Sequence, residues 1–274
     1  MKHWAGFLFL LFTVSVIGPV YATEVRAQII KNIEQIRKAD YEGDRKALKQ
    51  FYEQLSPYAY DKDYGSRVRY WRGFALWRRA INGFNETFDR VELEQDLIQA
   101  MEEFQKAVEQ DPGFVDAKIG KISCMGFLGY LNRENKERVQ EILVRASEFK
   151  KEIMAEAPDN PRLIWVMGPW LWNTPVERGG GQANAIAGYE KALESMRNRR
   201  SVTENPLEVS WGEPELLMSL AWSHLNRTEP DLNAAEEYAR TALKLVPYWH
   251  YVRDILMPQI QDAKAKANAA AASD

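Results

Sequence analysis

The side chains able to do chemistry are few in this chain, and their spacing builds no reaction centre. Beyond His3 there are only His224, on the apolar face of a helical pattern, and His250, in a Trp-His-Tyr context. Neither is read with a metal-ligating companion one turn away, and no nucleophile motif accompanies them. Glu102, Glu103 and Glu109 fall on helix surfaces, where solvation is the default, and Cys124 reads as a small buried hydrophobe rather than a reactive thiol. The Gly179-Gly180-Gly181 turn follows Pro175 and opens a helix near Asn184, where backbone N–H groups and the helix dipole can cradle an anion. It lacks the spacing of a phosphate-binding P-loop and follows no strand, so a tight link that permits positive φ is the expected role. The sequence therefore predicts no catalytic residue, no metal site and no cofactor, and hence not an enzyme.

The elements that carry these residues belong to an exported chain. Met1 to Ala22 reads as a signal peptide: Lys2 and His3 give a charged start, Trp4 to Ile17 an apolar run, and Gly18-Pro19 a break before the small-residue site Val20-Tyr21-Ala22. The run is shorter than the ~20 residues a spanning helix needs. The expectation is cleavage near Ala22 and a periplasmic or secreted mature protein without membrane insertion. Without the signal the chain keeps 252 of its 274 residues, 35 of its 36 lysines and arginines and all 39 aspartates and glutamates. That balance is too even for nucleic-acid binding by charge alone. One cysteine makes no internal disulfide, so the core must hold the fold, and most of the nine tryptophans are expected there.

The apolar periodicity is helical throughout. Val25, Ile29, Ile33 and Ile36 mark one face of a helix over 24–38, and Gly43-Asp44 opens a second over 45–55 that ends at Ser56-Pro57. An aromatic-rich helix follows over 66–81, then a polar link over 82–92 and a helix over 93–110 closed by Asp111-Pro112. Pro169 lies inside a further helical run, where a kink is expected. Tyr248 to Asp262 forms a last amphipathic helix that caps the fold, and the Ala-rich tail 263–274 is expected to fray.

One spacing recurs. Ala100, Phe104 and Ala107 stand at i, i+4 and i+7, as do Ala185, Tyr189 and Ala192, while Ala235, Ala239, Ala242 and Pro247 give the same frame. Helix pairs repeated in this way cannot bury their apolar faces alone and must stack on their neighbours. With these residues the chain resembles the tetratricopeptide repeat, whose helix A carries an aromatic, a large apolar residue, a small residue and another ring, and whose helix B carries Ala, an aromatic, Ala and Pro. The resemblance implies an all-α, tetratricopeptide-like helical-repeat solenoid of about four to five helix pairs over 23–262. Ile164, Met167, Gly168 and Leu171 take the helix A frame of one repeat, Leu217, Leu220, Ala221 and His224 that of the last, and Trp71, Phe74, Ala75 and Arg78 that of an earlier one. The stretch 160–194 followed by 205–212 is also similar to one found in a group of exported bacterial repeat proteins. A looser similarity is to the periplasmic T-component of certain solute transport systems.

In a tetratricopeptide repeat the residues flanking the helix A frame line a concave groove. The resemblance thereby implies a partner-binding groove of Arg69, Arg72, Arg79, Arg162, Trp165, Trp172 and Trp222, with Pro169, Glu215 and Met218 beside them. Such a basic, aromatic groove suits a carboxylate-bearing partner. The expected function is a non-catalytic scaffold that binds a peptide or protein segment. The alternative is an accessory component of envelope or solute transport holding a small ligand between helices near Trp165 and Trp172. A stacking role for exposed Trp165, Trp172 or Trp211 toward carbohydrate is a further option.

Overall fold

The protein is all-helical among the residues described by a computed structural model, which are 17–86, 89–199 and 205–271, with side chains 17–22 and 199 outside the description. Most of the expected signal peptide lies outside these residues. Eleven helices pack in adjacent pairs: α1 (Ile17–Glu42) with α2 (Arg45–Gln54), α3 (Gly65–Phe84) with α4 (Arg90–Gln110), α5 (Val115–Leu131) with α6 (Lys136–Glu156), α7 (Pro161–Asn173) with α8 (Gln182–Arg199), and α9 (Glu213–Asn226) with α10 (Leu232–Leu245). A π-helical turn, Tyr251–Leu256, leads into α11 (Met257–Ala271), which packs on α10. No helix among the described residues is long and apolar enough to cross a membrane.

Local chemistry punctuates the pairs. Gly43, at φ +74°, ends α1, and the Asp44 carboxylate accepts the Ala47 N–H to start α2. Asp89, Asn135, Asn160 and Asp231 cap α4, α6, α7 and α10 in the same way. The link between α3 and α4 is shorter than the polar composition of 82–92 suggests, because Asn82, Gly83 and Phe84 continue the helix. Pro258 removes the N–H that would bond the Asp254 carbonyl, next to the π-helical turn. The tail remains helical through Ala271, and Lys264 is tied to Glu236 of α10 at 2.7 Å.

The recurring spacing has a physical counterpart in glycine-to-ring joints. Ala100, Phe104 and Ala107 are fully buried, and a methyl group on Gly73 or Gly120 would lie 2.9 or 2.5 Å from the Phe104 ring. The Gly168 position is tighter: a Cβ there would lie 2.0 Å from the Tyr189 hydroxyl. Each joint lets two backbones approach around one ring, so neighbouring helices share a core. Ala235, Ala239 and Ala242 are likewise fully buried on α10, which packs on α9.

The first helices of successive pairs also touch, α1 with α3, α3 with α5, α5 with α7 and α7 with α9. The C-terminal turn then meets the first pair, with Tyr41 and Trp249 edge to face at 5.0 Å and His250 against Gly43. The return before α9 crosses this inner layer and plants Leu207, Val209 and Trp211 in the same core as Trp71 and Trp77. Trp211 donates to the Tyr70 hydroxyl at 2.6 Å, and Trp71 donates to the Leu207 carbonyl at 2.9 Å. Trp211 is thus a core ring and offers no stacking face to a ligand.

Candidate functional site

Four arginines of the expected groove serve the fold instead. Arg69 and Arg72 each donate at 2.9 Å to one oxygen of Glu103 on α4, and all three side chains are 5–7 % exposed. Burial pushes the Glu103 carboxyl up, but the hydrogen bonds and charges of Arg72 and Arg69 outweigh it, and the group titrates below the ordinary carboxylate range. Arg79 pairs with Asp96 at 2.5 Å and with Glu92. The sequence frame centres α3 on Ala75, whereas Gly73 is the small residue that receives Phe104. A two-residue slip turns a helix by about 200°, and that rotation carries the arginines from the inner face onto α4. Arg162 donates to the carbonyls of Trp211 and Val209 at 2.8 and 2.7 Å and faces Asp116 at 3.4 Å, so it straps the return segment down.

The three tryptophans behave differently. Trp165 and Trp172 of α7 and Trp222 of α9 converge on one cleft of about 400 Å³, walled by α3, α5, α7, α8, α9 and the turn at 249–251. Trp172 and Trp222 meet edge to face at 5.3 Å, and Trp222 is 38 % exposed. The Trp165 ring is fixed from behind, where its N–H donates to Ser219 Oγ at 2.9 Å. Across the opening, Phe84 of α3 and Phe127 of α5 form a second aromatic pair at 5.3 Å. Pro169 and Met218 line the cleft, as their positions beside the frame imply, while Glu215 is fully buried and caps α9 through the Gly212 N–H at 2.8 Å.

The polar groups on the cleft wall are neutral with one exception. Amides of Asn82, Asn85 and Asn173 and hydroxyls of Ser123, Ser219 and Ser223 are joined by Arg78, and among the described residues no aspartate or glutamate lines the space. Arg78 is 4 % exposed, and its Nε donates to Asp40 Oδ1 at 2.8 Å. Asn82 donates to the same carboxylate oxygen at 3.2 Å. Burial pushes the Asp40 carboxyl up, ahead of the lowering pull of Arg78. The repeat frame puts Arg78 among the packing residues and the polar composition of 82–92 puts Asn82 in a link, so neither stands out as a site residue from the sequence. A lone arginine on a helix face of Tyr, Trp and Phe was the available signal.

The remaining candidates have structural roles. Gly179 and Gly181 adopt φ of +81° and +101°, and a Cβ on Gly180 would lie 2.3 Å from the Thr174 carbonyl oxygen, so each glycine of the turn is required by the backbone. Burial pushes the Cys124 thiol well up. Glu103 is the buried counter-ion described above rather than a solvated carboxylate. His250, expected to lack a companion, pairs with Asp254 at 2.8 Å one turn on, and Arg253 holds the same carboxylate. That group is exposed and shows no further ligand. No protein-family model matches the chain, and no curated protein matches it at a significant level.

Proposed function

We propose that this protein is an exported, non-catalytic, tetratricopeptide-like helical-repeat protein that holds a compact, largely apolar ligand between the first helices of its pairs. The observation that carries the reading is the convergence of Trp172 and Trp222 from two separate helices on the rim of a cleft of about 400 Å³. That volume lies in the range of small-molecule sites, and the mixture of aromatic walls with a few convergent polar groups is typical of them. The glycine-to-ring joints and the contacts among α1, α3, α5, α7 and α9 support the repeat reading. The signal-like residues 1–22 support export.

A second reading, a scaffold for a peptide or protein segment, has one observation in its favour. Residues 207, 209 and 211 of the chain itself lie across α3 and α7 with alternate side chains buried, as a bound segment would. Because the chain supplies that segment, its inner face at α3 and α7 is already covered where a partner segment would lie.

Native mass spectrometry of the mature protein from an envelope extract tests both readings. An intact mass beginning at Thr23 supports export. A retained small molecule that Trp172→Ala abolishes supports the ligand reading, and a retained polypeptide supports the scaffold. A bare chain whose ligand and polypeptide capture are identical in Trp172→Ala would sink both.

A further inference from the structure

Arg78 is a buried cation whose donors are mostly unused. A guanidinium carries five N–H groups, and among the described residues the only hydrogen bond from this one runs from Nε to Asp40. Its two terminal amino groups have no acceptor among the described residues, and the side chain forms part of the cleft wall. The residue is 4 % exposed, and its terminal nitrogens are not sealed from solvent, so the unpaired fork of an otherwise buried arginine on the cleft wall is available to a ligand acceptor. The nearest spare carboxylate is already committed: Glu215 accepts the Tyr41 hydroxyl at 2.9 Å through one oxygen and the Gly212 N–H through the other. Asp40 and Asn82 meanwhile hold the Nε side of the guanidinium in place.

Resting on the cleft reading above, we infer that the ligand is an apolar or aromatic monocarboxylate, whose carboxylate accepts two hydrogen bonds from the terminal nitrogens of Arg78 while its body lies between the Phe84–Phe127 and Trp172–Trp222 pairs. The planar fork matches a carboxylate bidentately. A single charge is indicated because, among the described residues, no lysine or second arginine lines the cleft, and the guanidinium already shares its charge with Asp40. A phosphate dianion would be left uncompensated. Aromatic walls alone would also suit an ammonium ion, but the guanidinium repels one.

The test compares three isosteric probes on the wild-type mature chain by tryptophan fluorescence and calorimetry: 3-phenylpropionate, its neutral amide and 3-phenylpropylamine. The carboxylate is expected to bind at least roughly tenfold tighter than the amide, the amount a charge-assisted pair of hydrogen bonds supplies, with the amine weakest. In the doubly neutralised variant Arg78→Met with Asp40→Asn, the preference for the acid over the amide should vanish. Acid and amide binding equally to wild type, with both lost in Trp172→Ala, would overturn the Arg78 anchor and leave the cleft standing. Binding of none of the three probes would overturn the anchor and the small-ligand cleft together. The wild-type comparison decides the matter even where the double variant does not fold.

Discussion

Tyr41 and Glu215 stand 174 positions apart in the sequence and share a buried hydrogen bond of 2.9 Å, hydroxyl to carboxylate. The bond joins the end of α1 to the start of α9, and the same carboxylate caps its own helix through Gly212. Burial pushes the Tyr41 hydroxyl well above its ordinary range, so it acts only as a donor here. Tyr41→Phe leaves a fully buried carboxylate oxygen without that donor and should destabilise the fold by about 1–3 kcal/mol. Urea unfolding measures this, and an unchanged midpoint would contradict it.

The joint at Gly168 should tolerate no side chain. A Cβ there would overlap the Tyr189 hydroxyl, so Gly168→Ala is expected to cost on the order of 1–3 kcal/mol through overpacking. Combining it with Tyr189→Leu, which removes the ring, should recover part of the loss, giving a non-additive double-mutant cycle. Strict additivity would show that the glycine is not there for the ring.

Glu103 neutralises two buried guanidinium groups. Glu103→Gln should therefore destabilise by about 3–5 kcal/mol, the cost of breaking a buried ion pair from one side. Because its folded-state pKa is depressed, the stabilisation it provides is full above its ordinary value of 4.5 and is lost as pH falls through the lower folded value. Wild-type stability measured from pH 6 down to pH 3 should show this loss, and the variant should show less of it.

His224 adds a loss of stability in the same direction, but at higher pH. The residue is 8 % exposed, its ring stacks on Tyr238 at 5.5 Å, and neither ring nitrogen has a hydrogen-bond partner among the described residues. Burial pushes its pKa below 6.5, with Asp231 and Glu190 pulling up and Arg227 pushing down. The folded state thus prefers the neutral ring, and stability should fall as pH drops from 6.5 toward the depressed folded value. His224→Phe should flatten that part of the pH profile, and an unaltered slope between pH 7 and pH 5 would refute the assignment.

Much of the helical layout could be read from the residues because each cue is local. Gly43-Asp44, the Ala-ring-Ala triplets and Asp111-Pro112 determine turns and packing faces within a few positions of themselves. The tryptophans of α7 and α9 converge as expected because Gly168 fixes the frame of its helix without ambiguity. In α3 the repeat frame falls on Ala75, whereas Gly73, on nearly the opposite side, receives the Phe104 ring, and the Ala75 frame turns Arg69, Arg72 and Arg79 into the groove instead of onto α4. Only the position of Phe104 in another helix decides between them. The course of 205–212, its Trp211 buried against Tyr70, and the open fork of Arg78 depend on contacts between distant segments, which no local period encodes.

The meeting of Tyr41 and Gly43 with Trp249 and His250 changes how such a chain can come apart. A row of helix pairs bound only to nearest neighbours has two free ends and melts inward from either. Here the ends clasp each other like the fastening of a bracelet, and a break anywhere along the row leaves the remaining pairs still tethered. The same contact ties the first helix to the last turns of the chain, so that Trp249, which lines the space beside Trp172 and Trp222, is held from the opposite end of the sequence.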